Sequence, residues 1–379
     1  MKSKYKIRFL KIVLAAILAG TIEAVLMPVF LIAGSISFSV PVDCQVGQTC
    51  FIQNYYDHDS GPGRKDYACG RLSYDGHTGT DFRVKNLPAM QHGVSVLAAA
   101  PGVVTGVRDE MPDISIKQID PERIKGREAG NGVLIDHGNG WISQYSHLLH
   151  NSVVVKPGQR VNTGEKLGLI GLSGNTEFPH VEFAVRYRGK PVDPFVGING
   201  WSGCEDTRGT LWATNALEKM HYIPTGVLTA GFSQMMPEAE KARQGDYPSL
   251  SYSTNAKMMV FWVDLFGVQK GDRQKFKLVR PDDTQIVAKS EFLDKSNVSW
   301  FAFAGCRKPA NGWPTGKYKG VYTLTRKDKT IITIQLDFEM TPATETGTSS
   351  LNYPTRRIPG CVSFHASVFA GSVAFTFTG

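Results

Sequence analysis

The chain has 379 residues, 42% hydrophobic and 20% charged side chains, six cysteines and a formal net charge of +8, a length beyond what one compact domain ordinarily needs. The positive charge is diffuse and forms no basic stripe interleaved with aromatics, which argues against a nucleic-acid partner. A glycine-rich phosphate loop, a serine nucleophile elbow and a dinucleotide fingerprint are all absent from the sequence, so the chemistry they serve is set aside.

At the start, Lys2, Lys4, Lys6, Arg8 and Lys11 precede an apolar stretch from Ile12 to about Val40, interrupted by Glu23 and Pro28. Residues 1–40 therefore read as an export leader. The run before Glu23 has signal-peptide length, and the small residues from Ala33 to Ser37 suit a signal peptidase. The whole stretch is also long enough to span a bilayer, because a glutamate near its centre costs only about 2 to 3 kcal/mol, which neighbouring Leu, Ile and Val offset. A cleaved signal peptide and a signal anchor in the inner membrane both stay open. Either way the basic flank keeps the N-terminus in the cytoplasm and sends the remainder to the periplasm or cell envelope. The leader carries half of the net charge, and the mildly basic remainder suits an anionic wall polymer.

Export agrees with the cysteines. Cys44, Cys50, Cys69, Cys204, Cys306 and Cys361 are even in number and contain no Cys-x-x-Cys pair, so disulfides are expected, and fifteen pairings are open. A bridge among the first three would hold the segment leading into Gly76-His77-Thr78-Gly79-Thr80-Asp81-Phe82. In that segment an imidazole and a carboxylate stand four residues apart across small residues, a spacing from which both reach one metal ion.

Further along, Arg108 to Glu128 carries eleven charged side chains and two prolines, and reads as an insertion between core strands. It is expected to form either a flap over the cleft or a solvated surface loop. Gly130 to Gly140 followed by Trp141-Ile142-Ser143-Gln144-Tyr145-Ser146-His147-Leu148 reads as a hairpin. Alternation puts His147 on the face of Tyr145 and Ser143, projecting from a regular strand. Finally, Pro179-His180-Val181-Glu182-Phe183 sets His180 and Glu182 on one face of another strand. Short strands rich in Val, Ile and Gly, punctuated by turns, make the pattern mainly β.

Together these segments resemble the lysostaphin-like (LytM-type, β-lytic) zinc metalloendopeptidases. The likeness runs from about Tyr55 to Phe195 and includes Ala98 to Val104, Val155 to Val161 and Gly168 to Thr176. It implies a small, partly open β-barrel or sandwich, the duplicated hybrid motif, in a metallopeptidase domain spanning 41–204. Hydrolysis of peptide cross-links in bacterial peptidoglycan is the activity implied. Carried across residue by residue, the likeness makes His77 and Asp81 metal ligands and His147 and His180 catalytic imidazoles beside the attacking water. The last ligand departs from the family pattern, which has a second histidine where this chain has Glu182. A carboxylate binds zinc at nearly the same distance. One histidine and two carboxylates leave a divalent site formally neutral, so a bound water should be less acidic, and harder cations such as manganese join zinc as cofactors. The same exchange supports the alternative of a degenerate relative that binds the wall or regulates another envelope hydrolase.

After Cys204 the composition shifts. Residues 205–249 read as a linker with helical character, and 250–340 hold five strand-like runs, with Lys327-Asp328-Lys329 as a hairpin turn, suggesting an immunoglobulin-like sandwich with a binding or spacing role. The tail, 341–379, ends in an apolar run from Val362 to Phe377 that reads as an extra strand, a membrane-proximal segment or disorder.

Overall fold

The computed structural model describes residues 36–343, together with the backbone of 361–369 and 372–375; the leader lies almost wholly outside the described residues. In chain order the N-terminal half contains β1 (Cys50–Asn54), β2 (Gly79–Val84), α1 (Leu87–Gln91), β3 (Ser95–Leu97), β4 (Gly102–Arg108), β5 (Asn131–Gly138), β6 (Trp141–Leu148), β7 (Arg160–Val161), β8 (Lys166–Leu169), β9 (His180–Tyr187) and β10 (Lys190–Val192). The other half contains α2 (Thr214–Leu217), β11 (Gly226–Ser233), α3 (Ala239–Gln244), β12 (Ser251–Ser253), β13 (Met258–Val268), β14 (Arg273–Val279), β15 (Gln285–Phe292), β16 (Asn297–Arg307), β17 (Gly316–Arg326), β18 (Lys329–Thr341), β19 (Cys361–Phe369) and β20 (Ser372–Phe375). Among the described residues no helix is long and apolar enough to cross a membrane.

The N-terminal half is built on an open antiparallel sheet in the order β1-β2-β9-β6-β5-β4-β7, with β10 on β9, and a separate β3-β8 pair. Alternation divides its faces. Phe82, Val84, Val181, Phe183, Val185 and Tyr145 turn to the core, joined by Phe38, Phe195 and Trp212. Asp81, Arg83, His180 and Glu182 lie on the other face, since Asp81 stands opposite Glu182 and Arg83 opposite His180 in the β2-β9 register. Phe38 is fully buried and its amide bonds the Leu211 carbonyl, so the folded domain begins inside the span read as leader.

The C-terminal half is a sandwich of two five-stranded sheets, β11-β13-β16-β19-β20 and β12-β18-β17-β14-β15. Their facing side chains, among them Phe261, Trp300, Phe276, Tyr322 and Phe338, form one core. The near-continuous apolar run of β13 follows from burial on both faces: Val260 and Trp262 point away from that core and pack under α3 with Phe301 and Phe303. The layering of the expected second domain is observed; the strand order, with β12 parallel to β18, does not confirm an immunoglobulin topology. The segment read as a linker supplies β11, which pairs with β13. The apolar tail supplies two strands at the edge of that sheet, β19 pairing with β16.

Among the described residues, disulfides link Cys44 to Cys50 and Cys69 to Cys204. The first braces the entry to β1; the second ties the loop before His77 to the end of the N-terminal half.

Candidate metal and catalytic site

The site forms where β9 runs between β2 and β6. Glu182 stands opposite Asp81 on one side and Ser146 on the other, so the two side chains of the β9 face are flanked by both neighbouring strands. His77 precedes β2 on a turn closed by its own amide to the Tyr74 carbonyl. That turn is tied to Asp57, whose carboxylate accepts from the Gly76 amide and whose amide donates to the His77 carbonyl.

His147 does not project from a regular strand, contrary to the sequence reading. Strict alternation from Ser146, which faces the site, would aim the next residue into the core. Instead His147 takes φ +64, and its amide bonds Ala129 rather than continuing the ladder. The left-handed backbone turns the imidazole onto the face of Glu182, at 3.8 Å between Nε2 and Oε2. Local strain of this kind is characteristic of functional positions. Gly171 joins both catalytic candidates: its amide donates to the His147 carbonyl, and its carbonyl accepts from the His180 amide. A Cβ at Gly171 would come within 2.2 Å of the Leu149 nitrogen, so this close approach needs glycine.

The five side chains named from the sequence converge. His77 Nε2 lies 3.2 Å from Asp81 Oδ1 and its Nδ1 3.9 Å from Glu182 Oε1, while His180 Nε2 lies 3.6 Å from Asp81 Oδ1. The His147 and His180 rings are 4.7 Å apart. Ligand atoms of His77, Asp81 and Glu182 all lie within 4.8 Å of one another. Glu182 reaches inward across β2 because Gly79 has no side chain; a Cβ there would be 2.6 Å from Glu182 Cγ.

Whether this set suits a cation is tested by what it leaves unpartnered. His77 Nε2 and Asp81 Oδ1 are buried and lack a hydrogen bond. Asp81 Oδ2 is held by Asn54 at 2.7 Å, which orients the carboxylate and leaves its other oxygen directed at the cluster. Two orphaned polar atoms of opposite character at the centre of a buried cluster are costly unless something binds there. An oxygen- and nitrogen-bearing donor set fits a divalent metal.

Electrostatics separate the imidazoles. Burial works to lower the His77 pKa, but the negative charge of Asp81, 3.2 Å away, outweighs burial and raises it. Burial opposes ionisation of Asp81, yet His77, then His180 and the Asn54 bond, hold its pKa below the ordinary carboxylate range. His147 is pushed down to about 4, first by burial and then by repulsion from His180. His180 is also lowered, chiefly by burial, against the pull of Asp81. Both are therefore neutral near pH 7. Their Nδ1 atoms sit 2.8 Å from the Ser173 carbonyl and 2.9 Å from the Phe178 carbonyl, so each donates its N–H there and turns the lone pair of Nε2 to the cluster.

Outside the cluster, His58 has a buried partner that no local spacing signals: its Nε2 is 2.7 Å from Asp193, and the ring stacks on Trp201. Arg83 was missed on the site face. It is almost fully buried, stacks at 4.5 Å over Phe178 and has its pKa lowered to about 9, mainly by burial. Two-residue alternation from Asp81 was the available signal. The Arg108–Glu128 insertion forms short 3-10 turns at Ile116–Gln118 and Pro121–Ile124. It is pinned by Asp113, which accepts from the His150 and Leu172 amides, and by the Ile116 amide on the Thr176 carbonyl.

Residues 75–194 match the model of peptidase family M23, the LytM-type family. The chain is similar to the peptidoglycan DD-endopeptidase ShyA of Vibrio cholerae, 34% identical over 117 residues, or 31% of this chain and 22% of the relative. ShyB of the same organism, also a peptidoglycan DD-endopeptidase, is 33% identical over 132 residues, 35% of this chain and 25% of the relative. The chain thus spans about a quarter or less of these relatives' length. Among solved structures, the catalytic domain of the prophage-encoded M23 protein EnpA from Enterococcus faecalis aligns with 22% identity over 42% of this chain and 95% of that one, at a TM-score of 0.28.

Proposed function

We propose that the protein is a metal-dependent endopeptidase that hydrolyses peptide cross-links of bacterial peptidoglycan. The observation that carries this reading is the convergence of His77, Asp81 and Glu182 within 4.8 Å, with two neutral imidazoles presenting Nε2 to the same point. His77, Asp81 and Glu182 would hold the cation, zinc or manganese. When bound, it would supply Lewis acidity toward the scissile carbonyl and toward water.

The chain's own groups do the remaining work. Since Nδ1 of His147 and of His180 is committed to a backbone carbonyl, Nε2 of either accepts the proton released as water attacks. The imidazolium so formed becomes a donor, stabilising the oxyanion and then passing its proton to the departing amine. Asn54 keeps Asp81 oriented throughout. The Arg108–Glu128 insertion, held against the loop that carries Ser173 and Thr176, is placed to shape substrate access. Export to the periplasm or cell envelope suits the leader and the disulfides, with the leader either cleaved or retained as an inner-membrane anchor.

The second reading, a silent relative that binds the wall or regulates another hydrolase, rests on Glu182 replacing the family histidine. Metal content and release of peptides from isolated peptidoglycan decide between them. Stoichiometric zinc or manganese with cleavage supports the enzyme, and activity raised by Glu182→His identifies the cluster as its metal site. Absence of both metal and cleavage in the wild-type protein, unchanged by Glu182→His, would sink the proposal.

A further inference from the structure

A cavity of about 260 Å³ lies between the loop around Arg64 to Leu72 and the turns of the sandwich at Gly267–Gln269 and Ser296–Val298. Arg64, Arg71, Gln269, Ser296 and Asn297 contribute polar groups to its wall, and no acidic side chain lines it. Asn297 is 8% exposed, and its amide nitrogen has no hydrogen-bond partner; the Nε of Arg64 is likewise buried and unpartnered. Among the described residues neither guanidinium has a carboxylate partner within ion-pair distance. Burial and then the charge of Arg71 lower the pKa of Arg64, so the two cations repel rather than relieve one another. The nearest buried acid, Asp66, is consumed in its own loop, accepting from the amides of Ala68, Gly70 and Leu72 and from the Tyr222 hydroxyl.

The buried, orphaned donors of Arg64 and Asn297 on the wall of a half-open cavity, with the exposed Arg71 cation beside them, are costly to leave without an anionic ligand. Two arginines match a dianion better than a carboxylate, which would neutralise one of them. A planar guanidinium also donates in a fork that suits phosphoryl oxygens. We propose that this cavity binds a phosphate monoester or inorganic phosphate, gripped by Arg64 and Arg71 with the Asn297 amide completing the cradle. An anion there would bridge the peptidase loop to the sandwich. The site is separate from the metal cluster, and it does not depend on the peptidase reading.

The test is titration of the full chain with inorganic phosphate, read by melting temperature and calorimetry against chloride and acetate at matched ionic strength. A saturable stabilisation by phosphate alone is expected. It should persist in Asp81→Asn, which separates it from the metal cluster. Arg71→Met, at an exposed position, should raise the dissociation constant about tenfold while the ligand-free melting temperature stays put. Asn297→Asp, which places a like charge against the anion, should abolish the shift. Glucose 1-phosphate binding as well as phosphate marks the ligand as the end of a larger molecule; its exclusion marks free phosphate. No saturable shift in the wild type, or a shift unaltered by Arg71→Met, overturns the proposal and leaves the cavity to water.

Discussion

In the sandwich, Asp264 and Asp272 are sealed from solvent, and each carboxylate is gripped by two nitrogens of one arginine, Arg243 or Arg326, at 2.7 to 2.8 Å. In the peptidase sheet, Asp81 is buried almost as completely, yet it holds one hydrogen bond, from Asn54, and leaves Oδ1 open toward the orphaned Nε2 of His77. The first arrangement returns through bidentate bonds what desolvation removes; the second leaves that debt to a ligand. Buried carboxylates in one chain thus serve opposite ends. Those of the sandwich fix α3 and the β14 region in place, while that of the sheet keeps coordination capacity in reserve.

The sharpest way to break this contrast is to neutralise Asp81. Asp81→Asn keeps the acceptor for Asn54 and nearly the same shape, so the fold should survive, whereas bound metal and cleavage of peptidoglycan should both fall to background. Metal analysis and a peptide-release assay on the same preparation check this. Retained metal at full occupancy would remove Asp81 from the ligand set.

Next in size are the two imidazoles. His147→Ala and His180→Ala should each lower the turnover number by about 10² to 10⁴, the span of general acid–base contributions, with metal content close to wild type. Loss of metal in parallel with activity would instead make that histidine a ligand. Because Nδ1 of each is bonded to a backbone carbonyl, His→Gln substitutions should not rescue proton transfer.

On the sandwich side, Asp264→Ala removes the partner of a guanidinium that also donates to Ser299, and strands it under α3. Breaking one side of a buried ion pair costs about 3 to 5 kcal/mol. Denaturant unfolding should show that loss with the metal content of the folded protein unchanged. A cost nearer to that of a surface pair, about 1 kcal/mol or less, would mean that the pair is hydrated and the contrast overstated.

The convergence of His77, Asp81, His180 and Glu182 was legible because local spacing suffices for them. His77 stands on the turn just before the strand that carries Asp81, and His180 and Glu182 share one strand face. His147 was legible as a participant but not in its direction, since nothing in Tyr-Ser-His-Leu announces a left-handed histidine; that φ is imposed by the Ala129 and Gly171 contacts from distant segments. The same limit hid the partner of His58, 135 residues away. Burial of Arg83 was unreadable as well: the charges acting on it include Asp264 and Arg243, brought over from the sandwich. The strand β11 escaped notice because the Gly-Val-Leu-Thr-Ala-Gly run is weakly patterned alone and gains definition only by pairing with β13.

The smallest expected effect tests how Glu182 enters the cluster. At Gly79 a methyl group would meet Glu182 Cγ at 2.6 Å and Oε1 at 2.7 Å, so Gly79→Ala must rotate that carboxylate away from His77 while leaving the other ligands where they are. The backbone at this position is ordinary strand, which argues against strain from the substitution itself. Metal affinity should drop about 10- to 100-fold, comparable to removing an orienting contact around a metal ligand. Competition titration against a chelating dye measures the drop, and added metal in excess should restore cleavage. If affinity is unchanged, Glu182 lies near the cation without binding it; the ligand set would then be His77 and Asp81 with a third donor from elsewhere, for which Nε2 of His180, 3.6 Å from Asp81 Oδ1, is the nearest imidazole nitrogen on β9.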